Sequence, residues 1–215
     1  MIVAVMSNKG GVGKTTISIN IAFTLARRGR RVGLIDIDFH GANVPIMLSL
    51  NKKPEITITA DGIIPVRVFK NIEIMSLALL LRKDDDPCLW SGETKKHMVM
   101  QMFKSVVWSD PDVFVIDTPP SLGDENIVVA ELANKIIIVT TAHPASQYDV
   151  RKMIRVLKEK VVAVVVNMYD LFKYDVSLPI PSERIYYVPY DPELQVNPMK
   201  PIEPIEKLVD EVIMK

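Results

Sequence analysis

The chain has 215 residues, enough for one large α/β domain with a sizeable core, and 48% of them are hydrophobic. No apolar run reaches membrane-spanning length, and no signal peptide is expected, because residues 1–6 are too short and lead directly into a glycine-rich loop. The 26 basic residues balance 26 acidic ones, which argues against a nucleic-acid or anionic-membrane surface, and a single cysteine, Cys88, excludes an internal disulfide and fits a reducing cytoplasm.

In chain order, an apolar run from Ile2 to Val5 precedes Met6-Ser-Asn-Lys-Gly-Gly-Val-Gly-Lys-Thr-Thr16, and an apolar-periodic stretch from Ile17 to Leu25 follows it. Strand, glycine-rich turn and helix start are the context that a phosphate-binding loop needs. Gly10, Gly11 and Gly13 let backbone N–H groups face inward with no Cβ in the way of a phosphate. The helix N-terminus adds unpaired donors and partial positive charge. Lys14 can reach the β- and γ-phosphates, and Thr15 can offer its hydroxyl to Mg²⁺. Lys9, Val12 and Thr16 complete the cradle. Asn8 stands where the general pattern wants glycine, and asparagine tolerates unusual backbone angles.

The run Lys9-Gly-Gly-Val-Gly-Lys-Thr-Thr16 resembles the deviant Walker A signature of the MinD/ParA/Mrp group of dimerising P-loop ATPases. The resemblance implies that Lys9 reaches across a dimer to the partner's nucleotide. A helix is expected from Lys14 to Arg28, ended by Gly29, and a second strand from Arg31 to Ile37. The arginines 27, 28, 30 and 31 read as a solvated helix end rather than a nucleic-acid patch. Asp36-Ile-Asp38 and the stretch up to Leu48 resemble the first switch of the Mrp branch. By that match Asp38 sits near the γ-phosphate, holding a Mg²⁺-bound water or orienting the attacking one. The alternative is that Asp38 caps the short helix after it.

Asp61-Gly62 is a hairpin signal between Ile56–Thr59 and Ile63–Val68, and Asn71 to Leu77 should be a sheet strand. Residues 82–92 read as an exposed loop. Its Trp90-Ser-Gly92 sits where Mrp proteins carry Trp-Arg-Gly, so Ser91 departs from them. A helix is expected from Glu93 to Trp108, with methionines that either pack a core face, the commoner case, or form an adaptable interface. Asp112 to Asp117 is an apolar strand ending in Asp117-Thr-Pro-Pro-Ser-Leu-Gly-Asp-Glu125, which closely resembles the Mrp second switch. Asp117 is then the Walker B aspartate, bonded to Thr15 or to a Mg²⁺ water.

Further strands are expected at Lys135 to Thr141, Val161 to Val166 and Arg184 to Tyr190, with a helix from Ser146 to Lys158. The resemblance implies that Asn167 contacts adenine and that Pro189 and Asp191 flank it. Residues 169–184 lack the Cys-x-x-Cys pair with which Mrp-type carriers hold an Fe–S cluster between subunits. The last helix, Pro204 to Met214, is apolar on one side and acidic on the other, so it should pack on the sheet rather than bind anionic lipid. Cys88, His40, His97 and His143 lack the spacing of a zinc or nickel site within one chain.

Alternating strands and helices predict an α/β fold over residues 1–215: one doubly wound, mostly parallel sheet with helices on both faces, as in P-loop NTPases. The resemblance implies a cytoplasmic, Mg²⁺-dependent ATPase that forms a nucleotide-dependent homodimer. Lys9, Lys14 and Asp38 would be catalytic, and Thr15, Asp38 and Asp117 would serve Mg²⁺. Adenine rather than guanine follows from the family and from the absence of an Asn-Lys-x-Asp run. The expected client is a metallochaperone or metalloenzyme maturation protein, with nickel delivery to hydrogenase the leading case. The alternatives are a ParA- or MinD-like organiser on DNA or membrane, and an Fe–S carrier with non-standard ligands. Stable membrane binding and nucleic-acid binding are not expected.

Overall fold

The structure, a computed structural model, describes residues 1–38, 41–50, 56–69, 71–76, 79 and 91–215. Phe39 and His40 of the expected first switch, and Cys88 and Trp90 of the expected loop, lie outside the described residues.

Eight strands form the main sheet: β1 (Ile2–Ser7), β2 (Val32–Asp36), β5 (Val66–Phe69), β6 (Ile72–Ser76), β7 (Val113–Pro120), β8 (Lys135–Thr140), β9 (Val161–Asn167) and β10 (Ile185–Val188). Their order is β10-β9-β8-β1-β7-β2-β6-β5, and every neighbouring pair is parallel except β5 with β6. β2 is buried throughout, and β1 and β9 are buried except at Ile2 and Val162; their apolar runs reflect that.

Alternation along each strand sends side chains to two separate cores. Val3 and Val5 face one with Ile17 and Ile21 of α1 (Lys14–Arg27), while Ala4 and Met6 face the other. The first core also takes the last helix. The second is covered by α3 (Gly92–Lys104), α4 (Asp124–Leu132) and α5 (Pro144–Leu157). Both faces of the sheet are therefore helix-covered, as a doubly wound fold requires. A four-residue helix, α2 (Val44–Met47), follows β2.

Several elements differ from the sequence expectation. The hairpin is two residues per strand, β3 (Ile58–Thr59) with β4 (Gly62–Ile63). Pro65 has no N–H to extend the ladder, and β5 joins the main sheet instead, where Phe69 packs edge-on against Phe23 at 4.9 Å. Helix α3 stops at Lys104 rather than running to Trp108, because Ser105 and Val107 exchange backbone bonds with Ile63. Helix α4 had no expected counterpart. Its start is marked only by Gly123 and two acidic residues in the first turn.

The last helix, α6 (Glu203–Leu208), continues as a π-helical turn through Ile213. Ile205, Leu208, Val209 and Ile213 are all buried in the α1-side core. No helix among the described residues is long and apolar enough to cross a membrane.

Candidate functional site

The site grows from three adjacent strand ends. Register places Val5 of β1 and Asp36 of β2 on either side of Asp117 of β7. The two carboxylates thus stand side by side, each 0% exposed. Residues 8–13 turn from β1 into α1 and aim that helix's N-terminus at the space above them.

The first turns of α1 converge on Asp117. Lys14 Nζ lies 3.1 Å from Oδ1, and Thr15 Oγ1 donates to Oδ2 at 2.7 Å. Ser18 Oγ sits 2.7 Å from Oδ1 as well. Asp36 accepts from the N–H groups of Asp38 at 3.1 Å and Val44 at 3.2 Å. Burial, and then the neighbouring Asp117 charge, push the Asp36 carboxyl up to about 8, against the opposing pull of those two N–H groups and of Lys14.

Two buried carboxyl groups therefore face one buried ammonium; with Asp36 held in its neutral form, Lys14 offsets the charge of Asp117. This donor set fits a Mg²⁺ ion: Thr15 and Asp117 supply hard oxygen ligands or water acceptors, and Asp38 stands nearby. Among the described residues no group of three or more His, Cys, Asp or Glu converges as a metal site of another kind. His143 caps α5 through Nδ1, and His97 sits 3.1 Å from Gln101 Nε2.

A cavity of about 480 Å³ lies over the loop. Lys9, Gly10, Gly11, Val12, Gly13, Lys14, Thr15, Thr16 and Asp38 all line it, and so do Pro120 and Gln195. Gly11 and Gly13 have φ 76° and 85°, a region that side chains resist. Asp38 Oδ1 accepts from Gly41 N at 3.0 Å, so its local bond closes a turn. The residue preceding α2 is Asn43, not Asp38.

Other expected residues sit elsewhere. Asn167 Nδ2 donates to Val12 O at 2.9 Å, which places this side chain beneath the loop. Asp191 accepts from Glu193 N at 2.9 Å and pairs with Lys200 at 2.7 Å, and this bond holds its carboxyl below the usual range. Asn167, Pro189 and Asp191 are not among the residues lining the cavity. Lys9 Nζ lies 3.6 Å from Asp149 of α5 in the same chain.

Sequence reasoning assigned no role to Ser18, Asp36 or Asp149. The first two had a signal. Ser18 follows Lys14 by four positions, one helical turn, and Asp36 precedes Asp38 by two, the spacing of one strand face. Asp149 had none, since only the packing of α5 brings it to the loop.

Residues 1–177 match the family described as ParA, the NUBPL iron-transfer P-loop NTPases. The chain is 40% identical over 177 residues to a cytosolic Fe–S cluster assembly factor NUBP2 homolog of Trichoplax adhaerens, covering 78% of this chain and 66% of that protein. It is 40% identical over 195 residues to an iron–sulfur cluster carrier protein of Saccharolobus solfataricus, covering 86% and 62%. The chain thus spans about two thirds of the length of these curated relatives. Among solved structures it is similar to a nucleotide-binding protein of Archaeoglobus fulgidus in complex with ADP, with a TM-score of 0.69, 26% identity, and coverage of 96% of this chain and 87% of that one. The septum site-determining protein MinD of Pyrococcus horikoshii, complexed with Mg-ADP, shares the fold at a TM-score of 0.72 and 20% identity, over 99% and 96% of the two chains.

Proposed function

Since the chain belongs to the ParA family of NUBPL iron-transfer P-loop NTPases, we propose that it is a Mg²⁺-dependent ATPase switch that assists iron–sulfur cluster assembly. The observation that carries the ATPase half is the convergence of Lys14, Thr15 and Asp117 under a cavity walled by the loop. The relatives' names support the other half.

In this reading the N–H groups of residues 10–15 receive the phosphates, and Lys14 exchanges Asp117 for the β- and γ-phosphate oxygens. Thr15 and Asp117 hold Mg²⁺, which supplies charge compensation when bound. Asp38 orients a water whose oxygen attacks the γ-phosphorus. The bond to the β–γ bridging oxygen breaks, leaving ADP and phosphate. Lys9 leaves Asp149 and offsets charge on the nucleotide of a second copy, so that ATP favours a face-to-face dimer. In the same reading, Asn167, Pro189 and Asp191 would serve the adenine base, although none of them lines the cavity.

The client follows from chemistry and kinship together. The relatives reported above carry Fe–S names, so the expectation of nickel delivery to hydrogenase gives way to Fe–S assembly. Residues 169–184 contain no cysteine and the whole chain contains one. Thiolates are the usual cluster ligands, so the partner supplies them and this chain supplies the ATP-driven step, in the cytoplasm. The apolar face of α6 is buried in the core, so this helix itself is not offered to a membrane.

The test is affinity capture from a native extract with the Asp38→Ala protein, loaded with Mg–ATP or Mg–ADP. The reading expects ATP-dependent enrichment of Fe–S assembly proteins. Enrichment of hydrogenase maturation factors would restore nickel delivery, and enrichment of DNA-bound or membrane proteins would leave only the ATPase assignment.

A further inference from the structure

Pro120, the last residue of β7, walls the cavity, and the strand end that carries it is held from the side of α4. Asn126, in the first turn of α4, is 0% exposed. Its Nδ2 donates to Pro119 O at 2.9 Å and to Ser121 O at 2.6 Å. Two facing carbonyls demand the amide nitrogen, so chemistry fixes the orientation of this side chain. Its Oδ1 is left buried without a partner.

The backbone between those carbonyls is strained. Ser121 has φ 94°, left-handed for a residue that carries a Cβ. Leaving that region would gain a serine about tenfold in population. Ser121 N donates to Ser7 O at 2.9 Å, and Ser7 Oγ donates to Lys9 O at 3.0 Å. The residue that Asn126 clamps is therefore bonded to the strand end that enters the phosphate loop.

We propose that Asn126 is the positioning residue of the β7 end, Pro119 and Pro120, and of the turn it makes at Ser121: it holds Ser121 left-handed, which sets Pro120 against the cavity and Ser7 under the loop, and it thereby couples nucleotide binding to α4. The proposal rests on the nucleotide-switch reading above. The coupling has a route outward. Glu125, the adjacent residue, lies 3.5 Å from Lys95 of α3, and Asp124 lies 3.9 Å from Lys96. A shift of the turn reaches α3 through the first turn of α4.

A rescue experiment tests this. Asn126→Ala should raise the Kd for Mg–ATP about tenfold, and adding Ser121→Gly should recover most of that loss, because glycine holds this φ without a clamp. Ser121→Val keeps Asn126 and changes only an exposed side chain. It should weaken binding too, since a β-branched residue resists the left-handed region, and it covers the case in which Asn126→Ala does not fold. A double variant as weak as Asn126→Ala, or a Ser121→Val protein that binds as tightly as wild type, would overturn the proposal. If wild type binds no Mg–ATP, the nucleotide reading itself fails. The clamp is then read from thermal unfolding without nucleotide, where Asn126→Ala should lower the midpoint and Ser121→Gly restore part of it. No restoration there also overturns the clamp.

Discussion

Lys9 and Asp149 form an ion pair of 3.6 Å within one copy of the chain, so the loop's early lysine is parked on α5 rather than projected outward. With 40% of the Lys9 side chain exposed, the pair is screened by water and contributes about 0–1 kcal/mol. Releasing it is easy, as the proposed crossing of Lys9 to a second copy requires.

Asp149→Ala should leave thermal stability almost unchanged and strengthen Mg–ATP-dependent self-association by up to about fivefold. Sedimentation across a concentration series measures this. Weaker association than wild type would mean that Asp149 serves the dimer and not the resting state.

Lys9→Ala should keep Mg–ATP binding but lose turnover by about a thousandfold, the scale of a cation supplied in trans. Nucleotide binding by fluorescence and phosphate release under saturating ATP separate the two effects. Full turnover by the variant would remove Lys9 from the chemistry.

The buried charge cluster makes a stability prediction. Removing Lys14 leaves the buried Asp117 carboxylate without its ammonium, at a cost of about 3 kcal/mol. Urea unfolding of Lys14→Ala without nucleotide should show that loss, and adding Asp117→Asn should return part of it. A Lys14→Ala protein as stable as wild type would contradict the buried Lys14–Asp117 pair.

Asp36 also predicts a pH dependence. Its folded-state pKa is raised by burial and by Asp117. The stability tied to its neutral form is fully present below the ordinary aspartate range and is lost as pH rises through the raised value. Asp36→Asn removes that loss but forfeits an acceptor at every pH, so the slope is the test and not the offset. In nucleotide-free protein the variant should gain on wild type between about pH 5 and about pH 9. A constant difference over that range would show that Asp36 ionises normally.

Much of this site was legible because it is contiguous in sequence. Residues 9–16 carry their own turn, glycines and helix start, and Asp117 lies in an unmistakable apolar strand, although the strand runs on to Pro120 rather than ending there. What escaped depends on contacts between distant segments. Asp149 reaches Lys9 across 140 positions only once α5 lies beside the loop. Asn126 carried no pattern, because its work is done on main-chain carbonyls. Asn167 shows the intermediate case: its place at a strand end was foreseen, while its bond to Val12 follows from how close Gly13 comes. A Cβ on Gly13 would stand 2.2 Å from Asn167 Nδ2.

Gly13→Ala should therefore abolish nucleotide binding. Combining it with Asn167→Ala removes the clash but not the positive φ, so roughly 1–2 kcal/mol of strain would remain and binding would recover only in part. Calorimetry on the two variants checks both steps, and full recovery in the double variant would mean that the loop's left-handed glycine is dispensable.

The most direct test of the ATP-gated switch is the solution mass of the Asp38→Ala protein in Mg–ATP and in Mg–ADP, by sedimentation velocity. The account predicts a dimer in ATP, a monomer in ADP, and loss of the ATP dimer when Lys9→Ala is added. The same mass in both nucleotides, with each shown to be bound, would contradict it.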